Sequence, residues 1–370
     1  MPQNKKERSQ PSQKRRKKLI RINWQNEDLK IFLKLLLMAL IILAIFLISS
    51  YFTASEVKPE DRIVEEELTP LERGWLPRYL DGVYVEPGAE NLLPIAVMID
   101  NHVDSRLPRG LSKAQLVYEA VTEGGISRFM AIYATDQEIE KIGPVRSARP
   151  YFVEWAEEWG VAYFHCGGSN QALNKLNFSS LIFDINEFYQ GQYFWRDQSL
   201  PRPYNIFTSS ELIRNCQSDK ELSQQGNFIS WQFVDDPLEL ETVIEDIGFN
   251  YSPYDEYQVN WYYNQENNNY LRYQGSRPHL DEDGGQLLAK NIIFQYIATE
   301  VIDDIGRKEI DTRGQGEILI FQNGSVEEGR WKKITRQSKT KFYYSDGQEV
   351  VFNRGPTWIE VLPLGYEVVY

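Results

Sequence analysis

Residues 142–173 read IGPVRSARPYFVEWAEEWGVAYFHCGGSNQAL, and we predict the fold of the surrounding chain from this stretch. Two short polar loops, 143–150 and 165–170, each precede a segment with apolar residues at helical spacing. A short apolar strand, 160–164, is predicted between them. Strands and helices alternate in the same way from residue 94 to residue 185. The pattern is typical of an α/β domain, with a mixed sheet and flanking helices.

Both loops are typical of anion-binding sites, because unpaired backbone N–H groups and the positive end of the helix dipole meet at a helix start. Ser147 is the predicted N-cap of the first helix, and the second is expected to begin near Gln171. Arg146 and Arg149 lie between the two starts, which predicts a pocket for a carboxylate or a phosphate. Alternatively, both loops are capped turns and the arginines pair with carboxylates of this acidic protein.

The apolar runs 94–100 and 181–185 are predicted to be further strands of the same sheet. Open α/β sheets bind ligands at the carboxyl ends of their strands. We therefore expect Arg146 or Arg149 within side-chain reach of the backbone of 167–169. The candidate ligand-binding residues at this edge are Asp100, Asn101, Arg146, Ser147, Arg149, His165, Gly167, Gly168 and Ser169.

A second polar group comes from the runs 116–123 and 126–134, which flank Gly124-Gly125. The first run fits a helix or a strand, but a Gly-Gly turn between two such runs favours a β-hairpin. In either structure Glu119 and Glu123 lie on one face, because they are four residues apart.

The hairpin register that we predict pairs Val121 with Arg128, which places the arginine between the two carboxylates. Glu119, Glu123 and Arg128 are therefore candidate site residues, and we expect Glu119 or Glu123 to face the loop arginines. The alternative is an exposed sheet face with one ordinary salt bridge.

The segment 186–207 is dense in Tyr, Phe and Trp, with Arg196 and Asn205 among them. This composition suits a wall that stacks on sugars or other flat ligands and has a polar edge for hydrogen bonds. It suits a long packed loop equally well. Arg196 and Asn205 join the candidate ligand-binding residues.

Charge is unevenly placed along the chain. Residues 1–34 hold 11 Lys and Arg against 3 Asp and Glu, a net charge of +8, so the total of −13 leaves −21 for the remainder. Residues 35–52 are eighteen uncharged residues, about the length that crosses a hydrocarbon core. Basic residues before this segment place the N-terminus in the cytoplasm and the body outside. The alternative is a cleaved signal peptide, with small residues at 53–55 near the cleavage point.

The chain has two cysteines, Cys166 and Cys216, and three histidines. Two cysteines fifty residues apart make no disulfide framework, and none of these residues has metal-ligand spacing. We therefore predict no metal and no cofactor. Neighbours in a strand point to opposite faces, so His165 is poorly placed to activate the thiol of Cys166.

The second half of the body, beyond about Trp231, is rich in strands and turns and shows almost no helical period. The predicted organisation is a disordered cytoplasmic basic arm (1–34), a transmembrane anchor (35–52), an extracytoplasmic tether (53–88), an α/β domain (89–232), a linker (233–256) and a β-rich domain (257–370).

The motifs PIAVMIDN (94–101), KIGPVRSARPYFVEWA (141–156), HCGGSNQAL (165–173) and RGPTWIEVLP (354–363) resemble the bacterial YerB-like lipoprotein family, built on domain of unknown function 3048. The similarity covers roughly 93–363. It implies an envelope protein but supplies no reaction, because the family has no assigned one. Two features depart from the family: a membrane helix replaces the lipid-bearing N-terminal Cys, and Tyr204 stands where the family is expected to carry His.

We therefore predict a single-pass protein of the cell membrane, with its N-terminus in the cytoplasm and its body outside. It would act as a binding or scaffold protein for an anionic or sugar-containing envelope ligand. The alternative is an envelope hydrolase or transferase with Glu119 or Glu123 as general acid or base. Expected partners are the membrane, an anionic or glycan ligand and other envelope proteins; no nucleic acid is expected.

Overall fold

The computed structural model describes residues 27–54, 68–240 and 243–370, and the chain divides into two units, 1–67 and 68–370. The helices are α1 (Glu27–Ala54), α2 (Pro150–Glu157), α3 (Asn170–Asn177) and α4 (Ser210–Asp219). The strands of the first half are β1 (Leu76–Pro77), β2 (Tyr84–Val85), β3 (Ile95–Asp100), β4 (Leu116–Val121), β5 (Ser127–Tyr133), β6 (Ala162–His165), β7 (Phe183–Asn186), β8 (Trp195–Arg196), β9 (Ile206–Phe207) and β10 (Gln232–Val234).

Further strands follow from residue 246 onwards. They are β11 (Asp246–Asn250), β12 (Gln258–Asn264), β13 (Asn269–Gln274), β14 (Arg277–Pro278), β15 (Leu288–Ala289), β16 (Asn291–Ile297), β17 (Thr299–Val301), β18 (Lys308–Ile310), β19 (Gly314–Gln322), β20 (Ser325–Lys333), β21 (Lys341–Tyr344), β22 (Val351–Asn353) and β23 (Thr357–Pro363).

In the first unit, α1 contains the apolar stretch 29–50, which is long and apolar enough to cross a membrane. The predicted anchor 35–52 lies within this helix. Most of the predicted basic arm (1–26) and part of the predicted tether (55–67) lie outside the described residues.

The body is organised around a ten-stranded mixed sheet with the order β21-β20-β19-β16-β23-β4-β5-β3-β6-β7. Strands β3, β6 and β7 are parallel, whereas β5 is antiparallel to both of its neighbours, β4 and β3. The predicted α/β first half and strand-rich second half are both confirmed. The two halves share this sheet, because β23 of the second half pairs in parallel with β4 of the first.

Each face of the sheet is covered by a different layer. On one face, the second sheet, β11 to β15, packs its Ile247, Val259 and Trp261 against Val117 and Phe129. On the other face, α2 and α3 bury their apolar residues against the sheet. Apolar side chains therefore alternate to both faces of strands such as β4, which is buried throughout.

The β4–β5 hairpin forms as predicted, but its predicted register is wrong by one residue. Ala120, not Val121, lies opposite Arg128, because the turn is a short 3₁₀ segment at 123–125. Side chains alternate with a period of two, so the slip moves Arg128 to the sheet face opposite Glu119. The predicted constellation of Glu119, Glu123 and Arg128 is therefore divided.

Other segments add local detail to the predicted organisation. The turn at Asn323-Gly324 joins β19 to β20 as a two-residue hairpin. The segment predicted as a linker, 233–256, contains β11 and most of β10. Strand β11 pairs with β12, and β10 pairs with β22. The segment predicted as a tether contains β1 and β2, so regular structure begins before residue 89.

Candidate functional site

The two loops of the 142–173 stretch meet at one edge of the sheet, as predicted. The amide of Ala148 donates to Gly167 O at 3.0 Å, and the amide of Cys166 donates to Arg146 O at 3.0 Å. The backbone of the arginine loop therefore runs beside the glycine loop, beyond the carboxyl ends of β3, β6 and β7. This is the edge at which open α/β sheets hold their ligands.

Arg146 presents its guanidinium at this edge. Its Nε lies 2.9 Å from Oδ2 of the buried Asp100, and its plane lies over the Tyr204 ring, 5.5 Å from the centroid. Tyr204 in turn stacks on His102. Within 27–54, 68–240 and 243–370 the two terminal Nη atoms of Arg146 have no hydrogen-bond partner, and the side chain is 23% exposed. These donors face solvent in a fixed orientation.

Arg149 is fully engaged by protein groups. Its Nη2 lies 2.5 Å from Oε1 of Glu123, and its Nη1 donates to Ala148 O. Burial raises the pKa of Glu123, but the charges of Arg149 and Arg128 outweigh it and lower that pKa below its ordinary value. Glu123 therefore faces the loop arginines as expected, and it does so as an ionised carboxylate with no raised pKa for general acid catalysis.

Arg128 lies behind this pair, directly across the β3–β5 ladder from Asp100. Its Nη1 donates to Ser147 O at 2.8 Å, and the side chain is buried. Burial, followed by the positive charges of Arg149 and Arg146, lowers the pKa of Arg128 to about 10. The site therefore concentrates positive charge that the surrounding carboxylates only partly offset.

The predicted cap at Ser147 is wrong. Pro150 occupies the first helical position of α2, so Arg149 is the N-cap and Ser147 lies two residues too early. Ser169 does cap α3, with its Oγ accepting a hydrogen bond from the amide of Ala172 at 3.2 Å.

The glycine loop offers fewer free amides than its sequence indicates. The amide of Gly167 donates to Asn186 Oδ1, and that of Ser169 donates to Ala148 O. Of the three amides at 167–169, only that of Gly168 has no partner in the described part of the chain. The buried ring of His165 contacts Gly167 O through Nδ1 and Asp184 Oδ1 through Nε2, so it fixes the loop rather than facing a ligand.

Arg196 and Asn205 come to the same edge from the aromatic segment. Arg196 donates to Oε1 of Glu187 at 2.9 Å and to Asn205 Oδ1 at 3.2 Å. The Cys166 thiol lies 3.5 Å from Glu187, and burial followed by the Glu187 charge raises its pKa to about 11. Cys166 is therefore a protonated thiol rather than an activated nucleophile, and both cysteines of the chain are free.

Two predicted residues, Glu119 and Asn101, lie elsewhere. Glu119 is fully buried on the opposite sheet face, where Arg272 of the second half donates to its Oε2 at 2.7 Å. Asn101 donates to Ser127 Oγ and to Glu119 on that same face. These two residues have no access to a ligand at the loop edge.

We call Arg128, Arg146, Arg149 and Arg196 the arginine cluster. Their carboxylate neighbours are Asp100, Glu123 and Glu187, which leaves one positive charge in excess. Glu187 and Tyr204 were not predicted as site residues. Glu187 directly follows β7, so its position after a strand end was a signal that could have identified it.

Two open grooves lie away from the arginine cluster. One of about 1080 Å³ runs over β19, β20 and β21, and one of about 620 Å³ lies beside α2 and α3. Neither groove is lined by a residue of the cluster. Among the described residues, no group of three His, Cys, Asp or Glu side chains is arranged to hold a metal ion.

Fold and sequence together define a class: an α/β body with a strand-rich second half, preceded by one apolar helix of membrane-spanning length. Family models agree with this description. Residues 80–223 match the N-terminal domain, and residues 247–359 the C-terminal domain, of a protein of unknown function, DUF3048. The chain belongs to the DUF3048 family.

A relative and a solved structure extend the comparison. The chain is 32% identical over 289 residues to the "Putative lipoprotein YerB" of Bacillus subtilis (strain 168), covering 77% of this chain and 85% of the relative. It is also similar to the crystal structure of YerB protein from Bacillus subtilis, with a TM-score of 0.71 and 29% identity over 80% of this chain and all of the other. The predicted family resemblance is confirmed.

Proposed function

We propose that this protein is a membrane-anchored binding protein of the cell envelope, and that its arginine cluster takes the anionic group of a ligand. The observation that carries the proposal is Arg146. Its Nε forms an ion pair with Asp100, while its two Nη atoms have no hydrogen-bond partner in the described part of the chain and reach solvent beside Tyr204. A planar guanidinium with two parallel free donors fits a carboxylate or a phosphate.

The surroundings favour an anionic group carried on a ring. Phe188 is 66% exposed, and its ring lies so close to Gly167 that a Cβ there would come within 2.7 Å of it. The Tyr204 ring lies beneath the Arg146 guanidinium. An exposed aromatic face beside fixed polar donors, here that of Phe188, is typical of sugar-binding and nucleotide-binding sites. The proposed ligand is therefore a phosphorylated or carboxylated sugar of the envelope.

Binding without catalysis is the function that these contacts support. The runner-up hypothesis needs a carboxylic acid beside both loops, with a raised pKa. Glu123 has a lowered pKa, and Glu119 is buried on the other face.

We further propose that α1 is retained as the anchor, with the basic N-terminal arm in the cytoplasm and the body outside. The relative in Bacillus subtilis is named "Putative lipoprotein YerB", but the cysteines of this chain are Cys166 and Cys216, both well after α1 in the sequence. Protease added outside intact cells should remove the body and leave a fragment containing 1–52. Release of an intact body from untreated membranes would contradict a retained anchor.

The ligand proposal is tested by a thermal-shift screen of the full chain in detergent micelles, against phosphosugars, uronic acids, nucleotides and their uncharged analogues. An anionic ligand should raise the melting temperature of the natural protein and not that of Arg146→Met. Arg354→Met is the matched control, because Arg354 also lies over a tyrosine ring but is paired with Asp235 far from the cluster. Equal shifts in Arg146→Met, or shifts with uncharged analogues, would overturn the proposal.

A further inference from the structure

A second polar cluster lies inside the body, between the ten-stranded sheet and the second sheet. We call it the interior cluster; its members are Asn101, Arg106, Glu119, Arg272, Gln274, His279 and Glu360. Arg272 is fully buried, and its Nη2 lies 2.7 Å from Oε2 of the equally buried Glu119. This pair joins the two halves of the body through an ionic contact away from solvent.

Glu360 lies beside Glu119 in this interior, on the neighbouring strand β23. It is fully buried, and it accepts hydrogen bonds from Tyr251 at 2.9 Å and from Trp261 at 3.1 Å. Burial, followed by the charge of Glu119, raises the pKa of Glu360 well above its ordinary value. Glu119 is the carboxylate that contacts Arg272.

Arg106 brings a second guanidinium to the same place from the loop after β3. It lies over the Tyr257 ring at 5.0 Å, and its pKa is lowered, first by burial and also by the positive charge of Arg272. Two carboxylates raise the pKa of Arg106 through their charges. They are Glu119, which is already paired with Arg272, and the exposed Glu256. The half-buried Arg106 thus has no ion-pair partner of its own among the described residues.

The protonation of His279 follows from its contacts. Arg272 Nη1 contacts its Nδ1, and arginine can only donate, so Nδ1 accepts and the proton of the neutral ring lies on Nε2. Burial and the charges of Arg272 and Arg106 lower the pKa of His279 well below its ordinary value, which keeps the ring neutral. Its Nε2–H is then a buried donor.

Several buried polar atoms of the interior cluster have no hydrogen-bond partner among the described residues. The donors are Arg106 Nε and Nη2, Arg272 Nε, Gln274 Nε2 and His279 Nε2, and the acceptor is Asn101 Oδ1. Buried polar atoms are nearly always satisfied in native proteins, since each orphan carries a desolvation cost. Five donors against one acceptor create a demand for an acceptor, and Arg106, which has no ion-pair partner among the described residues, favours an acceptor that is negatively charged.

We infer that the interior cluster binds a small monovalent anion, of the size of chloride, between Arg106, Arg272 and His279. A halide accepts hydrogen bonds from several donors and gives the Arg106 guanidinium a negatively charged partner. A water molecule, in contrast, also brings two protons that need acceptors. The anion would tie the loop that carries Arg106 to strand β13, which carries Arg272 and Gln274. It would thereby stabilise the contact between the two halves of the body.

The test is thermal unfolding of the full chain in detergent micelles, in sodium chloride or bromide against sodium gluconate at equal ionic strength. A halide at about ten times its dissociation constant should raise the melting temperature by roughly 2–4 °C. Arg106→Met should lose this halide dependence. Arg354→Met and Arg146→Met should keep it, which separates the interior cluster from the arginine cluster.

Crystals grown in bromide give a test that does not depend on a variant folding. An anomalous peak within hydrogen-bonding distance of Arg106 and His279 supports the inference. A water molecule there, with no anomalous signal, would overturn it. So would a melting temperature that is equal in halide and gluconate, or a halide effect that survives in a folded Arg106→Met.

Discussion

Glu119 and Glu360 lie directly opposite each other on the parallel strands β4 and β23, at the seam between the two halves, and both side chains are fully buried. Burial and the charge of Glu119 raise the pKa of Glu360 well above its ordinary value. Arg272 pairs with Glu119, while Tyr251 and Trp261 donate to Glu360. The seam therefore holds one ion pair and one carboxyl whose pKa is raised.

The first prediction separates these two roles. Glu119→Gln leaves the buried Arg272 without its charge partner and should lower the free energy of unfolding by about 3–5 kcal/mol. Glu360→Gln replaces a carboxyl whose pKa is raised with an amide of the same shape, and it should cost at most about 1 kcal/mol. Urea unfolding at pH 7 measures both. Equal losses in the two variants would contradict this assignment.

The second prediction concerns pH. The pKa of Glu360 is raised in the folded protein above its ordinary value of 4.5, so the folded state binds its proton more tightly than the unfolded state. Its contribution is complete below the unfolded pKa and is lost as pH rises through the folded pKa. Between pH 5 and pH 8, Glu360→Gln should therefore gain stability relative to the natural protein. Parallel curves of urea midpoint against pH would show that Glu360 has no raised pKa.

The third prediction concerns the thiol at the loop edge. Burial contributes most to the raised pKa of Cys166, and Glu187 adds to it through its charge and its hydrogen bond. Glu187→Gln should lower this pKa, and alkylation by iodoacetamide at pH 8 should become roughly two- to tenfold faster, because each unit adds about tenfold more thiolate. Both the natural protein and Glu187→Gln are prepared with Cys216→Ser, so that the alkylation rate reports on Cys166. An unchanged rate would mean that Glu187 does not act on the thiol.

How far the sequence predicts the site can be judged from particular residues. The shared edge of the two loops follows from parallel strands and their short connections, which are local signals. The position of Arg128 does not follow from local signals. Gly124 and Gly125, with φ of 67° and 76°, belong to a turn that is longer than the two-residue loop that their sequence indicates. Ser147 was misassigned because Pro150 sets the helix start.

The interior partners of Glu119 depend on long-range pairing. Arg272 is 153 residues away in the sequence, and it reaches Glu119 only because the second sheet packs over β4 and β5. No local period or motif reports such a contact. A buried charged residue in the middle of an apolar strand was the available signal, since an isolated charge there requires a partner.

The fourth prediction concerns the predicted domain boundary. Residues 235–239 are exposed, and Leu238 is fully so, which makes this segment the expected site of limited proteolysis. The two fragments should co-elute in native gel filtration and separate only in denaturant, because β4 and β23 hold both halves in one sheet. Separate elution under native conditions would contradict a shared sheet, and cleavage elsewhere first would contradict the boundary.

The central claim is that Arg146 binds the anionic group of a ligand, and calorimetric titration tests it most directly. The natural chain, in detergent micelles, is titrated with the phosphosugar or uronic acid that gives the largest thermal shift, at about 50 and 200 mM salt. We predict binding that weakens with salt, at least about tenfold weaker binding to Arg146→Met, and unchanged binding to Arg354→Met. Equal affinity of Arg146→Met and the natural chain would contradict the claim.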